Sequence, residues 1–215
     1  TDDPIVKEVQ EAKNANQPRY IGTTIHDGVG IGILRTQEIP ERAALGIVYG
    51  DSSNHRHMDL LDVQLFAWGR PFLTDLGYPQ SWATIRKWEG NWATHNSVWG
   101  VIPDGNHELV AGRGRLIRTL FTEGIQVLEL EAERWITDAE RQKWVKPGVS
   151  YRRLIALVET DDDGVAVIDF SRIQGGTEHW RTCRGLQGNF STADLTLTSQ
   201  PGPISSADGI RGTVD

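Results

Sequence analysis

A chain of 215 residues with 38% hydrophobic side chains can bury a substantial core, and at roughly 150 residues per domain it suits one large domain or one and a half. Its 29 acidic and 22 basic residues leave a formal charge of -7, which argues against non-specific nucleic-acid binding, a process that needs basic surface to displace counterions. A single cysteine, Cys183, excludes an internal disulfide framework, and no stretch approaches the roughly 18 to 20 apolar residues of a membrane span.

The opening residues, TDDPIVKEVQ, contain neither an initiator methionine nor a signal-peptide pattern, and Met58 is the only methionine, so the chain reads as a piece of a longer protein. Ile5, Val9 and Ala12 recur at helical spacing behind Pro4, which predicts a short helical segment within a connecting stretch over residues 1–20. Over residues 21–200, runs such as IGILRT, AALGIVYG, DVQLFAWG, PFLTD, NSVWGVI, RLIRTLFT, YRRLIALVE, GVAVIDFSRI and DLTLTS alternate with turn residues. That spacing predicts an all-β fold, an antiparallel sandwich or barrel. Trp68 and Trp99 fall inside strand patterns and are expected in the core.

Asp104-Gly105, Glu123-Gly124 and Asp163-Gly164 have the chemistry of hairpin turns. In IQVLELEAERW the alternation puts Gln126, Leu128, Leu130 and Ala132 on a core face. Ile125, Val127, Glu129 and Glu131 form a second face, expected to be covered at its start and open to water further on. Residues 136–148 read as an exposed connection with at most one helical turn, and residues 201–215, rich in Pro, Gly and Ser, as an irregular tail.

The chemistry gathers around histidine. His55 and His57 stand one residue apart, and on an extended strand residues two apart face the same side, so His55, His57 and Asp59 can point together. Neutral imidazole nitrogen and carboxylate oxygen are zinc donors, and three protein ligands leave one position open. Asp59 reads either as an acceptor for an imidazole N–H or as a solvated acid before a strand. Gly50, His55, His57, Asp62 and Gly69 also fit the first box of a metal-dependent cupin, with Asp in place of the usual Glu, but the turn of the second box is absent near His95.

Trp82, Trp88 and Trp92 lie between Asp75 and His95, where an aromatic face can stack on the apolar C–H surface of a sugar or simply pack a long loop. Arg86 and Lys87 beside them can meet carboxylates. An acidic ligand would need a local basic cluster, such as Arg113, Arg115 and Arg118, to overcome the negative field of the whole chain.

Taken in order, several elements resemble the C-terminal β-sandwich of the heparinase II/III-like polysaccharide lyases. They are the H-x-H-x-D run of SSNHRHMDLLDVQLFAWGRPFLTDLGY, the acid just before Gly77-Tyr78, the His95-Asn96 pair and the Gly175-Gly176 of FSRIQGGTEHW. The resemblance implies a large antiparallel β-sandwich (super-sandwich), with His55 as a catalytic histidine and His57, Asp75 and His95 as zinc ligands. It places His179 in a segment lining a domain junction, near substrate. Arg56 departs from the small residue common between the paired histidines, and offers a cation to an acidic sugar.

The implied reaction is β-elimination on a uronic-acid-containing polysaccharide of the glycosaminoglycan or alginate kind. A base removes the proton at C5, α to the carboxylate, and the C4 oxygen leaves. The charge that develops beside the carboxylate must be neutralised or hydrogen-bonded, and His55 can move a proton or, when protonated, stabilise that charge. In this scheme zinc braces the loop carrying His55 rather than performing hydrolysis. The remaining catalytic groups belong to an N-terminal α/α toroid outside these 215 residues, so the chain alone is expected to have little lyase activity. The resemblance further implies a periplasmic or extracellular full-length protein, with an acidic polysaccharide as partner and neither nucleic acid nor membrane. A non-catalytic carbohydrate-binding module and a cupin remain the other readings.

Strand geometry sets one condition on the zinc reading. If Gly69-Arg70 forms a simple hairpin turn, Gln64 lies opposite Asp75, and His57 would stand roughly 23 Å further along a straight strand. A shared ion therefore requires residues near Asn54 to Leu61 to bend back toward Asp75.

Overall fold

Alternation of buried and exposed side chains runs through nearly every element. In the computed structural model, which describes residues 22–37, 42–50, 58–77, 92–101, 109–138, 143–145 and 149–185 together with Lys7, Glu11, Gly90, Ala193 and Thr196, it produces three antiparallel sheets. The strands are β1 (Thr24–His26), β2 (Ile31–Arg35), β3 (Ala43–Val48), β4 (Val63–Ala67), β5 (Arg70–Leu73), β6 (Val98–Val101), β7 (Leu109–Thr122), β8 (Ile125–Asp138), β9 (Lys143–Val145), β10 (Ser150–Glu159), β11 (Val165–Gln174) and β12 (Glu178–Arg181). β1 to β5 form one sheet in sequence order; β11-β10-β8-β7 form the second, with β9 paired to β8; β12 and β6 form a two-stranded third.

The first two sheets share one core. Leu34, Leu45, Ile47 and Val63 from the first meet Leu128, Leu130, Ile155 and Leu157 from the second, the inward half of each alternating strand, as in a face-to-face sandwich. Contact is close enough that a Cβ on Gly32 would lie 2.5 Å from a Leu128 methyl carbon. At the sheet corner Gly30 has φ +71° and its missing Cβ would fall 2.2 Å from the Gly50 Cα, so only glycine allows the two backbones to cross there. The Gly30 carbonyl accepts the Tyr49 and Gly50 N–H groups, and the Tyr49 carbonyl accepts the Gly114 N–H, which stitches the first sheet to β7.

The expected all-β character and the inward face of β8 agree with the structure, with Gln126, Leu128, Leu130 and Ala132 all buried. The polar Gln126 is accommodated by hydrogen bonds from Thr23 Oγ1 at 3.0 Å and to the Thr122 carbonyl at 2.8 Å. Glu123-Gly124 and Asp163-Gly164 are the β7–β8 and β10–β11 turns.

Several expectations need correction. The N-terminal helical segment is not a distinct element: among the described residues no helix reaches seven residues, and the one helix with defined bounds is a 3-10 turn at Trp92–Thr94. Apart from Lys7 and Glu11, residues 1–20 lie outside the described ones. Residues 136–148 hold a β-hairpin rather than a helical turn, because Ile136–Asp138 continue β8 and pair with β9. The outer face of β8 is most covered at Glu129, not at its start, where Ile125 is exposed. Trp68 is no core residue: it sits at the β4–β5 turn with φ +46°, 53% exposed, edge-on to Phe72. β1 and β12 were not expected from the sequence. The Asp104-Gly105 turn, the DLTLTS strand apart from Thr196, and the 201–215 tail lie outside the described residues.

Candidate metal and carbohydrate site

The hairpin carrying Asp75 turns through Trp68 and Gly69, both at positive φ, the geometry of a type I′ turn. A bulge follows, so that Phe66 faces Pro71 but Leu65 faces Leu73. Continuing that register brings Asp75 to the level of Val63 rather than Gln64. Just before Val63 the chain reverses: Leu61 is forced to φ +62°, the Asp62 N–H reaches the Asp59 carbonyl at 2.7 Å, and Met58 N–H donates to the Gly90 carbonyl at 3.0 Å. A non-glycine residue at positive φ is costly and persists only where its surroundings fix it; here Leu61 N–H is held by Val48 and its side chain is fully buried. The chain therefore turns between Met58 and Asp62, and Met58 is held beside Gly90, in the segment that leads into His95.

His95 follows the 3-10 turn, and its N–H closes onto the Trp92 carbonyl at 3.2 Å. The side chain is 0% exposed, with Nε2 3.0 Å from Asp75 Oδ2. Asp75 is 17% exposed at its side chain, and its Oδ1 accepts the Gly77 N–H in an Asx turn. Asp62 is the second acid of the neighbourhood. Its Oδ1 takes the Asn96 N–H at 2.6 Å and its Oδ2 the Gln64 amide at 3.2 Å. Burial pushes its pKa up to about 6, with the Asp75 charge adding to the shift, against the opposing pull of His95 and the two hydrogen bonds.

One guanidinium holds the frame around these groups. Arg153, 2% exposed, projects from the inward face of β10 and donates to the carbonyls of Leu61 and, at 3.0 Å, Asn96. Its other edge grips Asp169 through Nε to Oδ1 at 3.1 Å and Nη2 to Oδ2 at 2.6 Å, and Arg181 of β12 joins Asp169 at 2.7 Å. Burial alone would raise the Asp169 pKa; the hydrogen bonds and charge of Arg153, helped by Arg181 and Ser171, outweigh it and hold the carboxyl below its usual range. Thus one residue of the second sheet fixes the turn before β4, the backbone beside His95, and β12. Ser97 Oγ to the Leu60 carbonyl at 2.7 Å and Asn96 Nδ2 to the Thr74 carbonyl at 3.3 Å complete the clamp.

A tetrahedral zinc with bonds near 2.0–2.1 Å would separate two donor atoms by about 3.3 Å. The 3.0 Å between His95 Nε2 and Asp75 Oδ2 lies close to that edge, and an imidazole nitrogen with a carboxylate oxygen is a donor pair zinc accepts. These two residues fit the group. Among the described residues no three His, Cys, Asp or Glu side chains gather around one metal-sized centre. His57, the expected third ligand, and His55, the expected catalytic residue, lie outside the described residues, as do Arg56, Trp82, Arg86 and Trp88.

The remaining expected positions separate. Trp92 is 3% exposed, stacked on Trp99 at 5.2 Å and met edge-on by Trp180 at 5.9 Å, with Met58 packed against this second small core. It packs the loop and offers no free face to a sugar, whereas Trp99 is the core residue the sequence suggested. His179 is exposed on β12 with Nε2 2.7 Å from the Gly175 carbonyl. Asp59 is half-buried and its carbonyl caps the turn at Asp62. Asp62, the acid a cupin would need at its metal, spends both oxygens on Asn96 and Gln64.

Sequence reasoning missed Arg153 and Asp169. Their signal was nonetheless present in YRRLIALVE, because two adjacent arginines on a strand must face opposite sides and one of them therefore enters the core.

With this geometry, comparison with known families places the chain. The model described as "Heparinase II/III-like, C-terminal" matches residues 44–200. The chain belongs to the heparinase II/III-like family, through the carboxy-terminal part of it. Comparison with curated proteins and with solved structures gave no match.

Proposed function

We propose that this chain is a polysaccharide-directed β-sandwich module that performs no turnover by itself and serves a lyase acting on uronic-acid polysaccharide by β-elimination. The observation that carries the reading is the buried His95 in contact with Asp75 at 3.0 Å, inside a chain that matches the family over residues 44–200. An imidazole and a carboxylate placed so, with the chain after His57 led to the same loop, support a three-ligand site. His57, Asp75 and His95 would hold zinc, which when bound supplies a fixed positive centre that anchors their loops.

The chain's own residues then act through position. His57 at the ion would fix the backbone two residues from His55, so that His55 meets the substrate with little freedom left to lose. Near neutral pH it would move a proton at the uronate or, protonated, offset the charge that builds beside the carboxylate. Arg56 would pair with a substrate acid. An α/α toroid of the same enzyme would bring the remaining acid and base groups, in a periplasmic or extracellular setting.

A second reading, a purely carbohydrate-binding module, draws on the absence of a three-ligand cluster among the described residues. Assays of this chain on uronate polysaccharides, alone and as part of a toroid-bearing protein, separate the possibilities. The proposal expects unsaturated product only from the larger protein, and loss of that product in His55→Ala. Turnover by the chain alone contradicts it, and full activity of the His55→Ala enzyme leaves only the binding module.

A further inference from the structure

The outward face of the second sheet carries a groove that the lyase reading does not use. Its cavity is about 790 Å³, walled by the β1–β2 turn at Asp27 and Val29 and by Tyr49, and floored by β7, β8, β10 and β11. Along β10, Tyr151, Arg153, Ile155 and Leu157 are buried while Arg152 points the other way. The groove floor and the Asp75–His95 pair that Arg153 supports therefore lie on opposite sides of this sheet.

Register builds the floor from two rows. Arg172 faces Arg152, Arg152 faces Glu131, and Glu131 faces Arg115; the next row runs through Gln174, Ser150, Glu133 and Arg113. At about 4.8 Å between strands each row spans roughly 15 Å. Four arginines against two glutamates leave an excess of two positive charges on this floor, in a chain whose formal charge is -7. Asp27 on the wall is turned toward Tyr49, whose hydroxyl it accepts at 3.0 Å.

Two details point to a ligand. Directly opposed like charges on neighbouring strands cost stability, yet Arg152 and Arg172 are paired across β10 and β11. Arg152 has Glu129 as a partner at 2.5 Å and Arg115 has Glu131, but Arg172 makes no ion pair among the described residues. An anion bridging the two guanidiniums would turn the repulsion into bidentate binding. Two residues before Arg172 on the same face stands Phe170, 67% exposed, the kind of flat apolar surface that the C–H face of a sugar covers. Gln174, Ser150 and the glutamates supply donors and acceptors for hydroxyls.

We propose that this groove binds a short carboxylated oligosaccharide, with Arg152 and Arg172 sharing a uronate carboxylate and Phe170, one row beyond the groove lining on β11, under the adjoining sugar ring, as a second carbohydrate site away from the Asp75–His95 pair. It rests on the polysaccharide reading for its class of ligand, and not on the metal.

The test is titration of the full chain with a polyuronate tetrasaccharide at low and moderate salt, beside a neutral tetrasaccharide and a short RNA. Wild type should bind the polyuronate with an affinity that falls with salt, and the neutral sugar more weakly. Arg172→Gln should lose about tenfold, the equivalent of roughly one charge-assisted hydrogen bond; Phe170→Ala should lose affinity for both sugars; Arg70→Gln, which removes an exposed arginine from β5 of the first sheet, should bind as wild type. Matching circular dichroism and melting curves for Arg172→Gln establish that it folds. Polyuronate binding unchanged in Arg172→Gln would overturn the groove and leave the lyase reading standing. Tighter binding of the RNA, or no polyuronate binding at all, would equally overturn it.

Discussion

Arg152 and Arg153 are chemically identical neighbours with opposite fates. Arg153 turns inward, where its donors are met by Asp169 and by the carbonyls of Leu61 and Asn96. Arg152 turns outward, where it shares the largely covered Glu129 with the exposed Arg118. The inner face uses charge to hold backbone, since a buried guanidinium must be matched donor by donor; the outer face leaves its arginines largely in water, where an exposed pair such as Arg115–Glu131 contributes little to stability and stays open to exchange for a ligand. One sheet thus separates a rigid side that frames His95 from an adaptable side that presents arginine.

The sharpest way to break this contrast is on the inner face. Arg153→Ala leaves Asp169 with only Arg181 and Ser171 and strands two carbonyls, and should destabilise the fold by about 3–5 kcal/mol, read as a large fall in the denaturant midpoint. A loss below about 1 kcal/mol would mean that the clamp is ornamental. Next in size is the pH dependence of Asp62. Its folded pKa, raised to about 6, lies above the unfolded value, so the contribution is fully present below the unfolded pKa and is lost as pH rises through 6. Metal-free protein should accordingly gain stability from pH 7 to pH 4.5, by no more than about 3 kcal/mol, and Asp62→Asn should flatten this limb. Asp169 runs the other way: its depressed pKa gives stability that is present above the ordinary carboxylate range and lost as pH falls through the folded value. Smallest is Arg172→Gln, which removes one of two opposed arginines and should be neutral or stabilising by a few tenths of a kcal/mol.

How much of this was legible in the sequence follows the range of the interactions. The inward face of β8 could be read because alternation is local, and so could the turns at Glu123-Gly124 and Asp163-Gly164, whose chemistry is local too. Trp68 was misread because its run continues into a turn, and hydrophobicity alone does not mark where a strand stops. The meeting of Asp75 with His95 had no local signal. It depends on the bulge at Leu65/Phe66 and on a left-handed Leu61, neither of which a period of two reveals. Motif order supplied what periodicity could not. Likewise the partners of Arg153 come from residues 92 and 57 positions away, Leu61 and Asn96, and only the folded arrangement names them.

The account stands most directly on zinc binding by the full chain, measured by competition with a chromophoric chelator. It predicts one zinc per chain, with binding abolished in Asp75→Ala and His57→Ala and retained in Asp62→Asn. An intact chain that takes up no zinc, or variants that hold it as tightly as wild type, would contradict it.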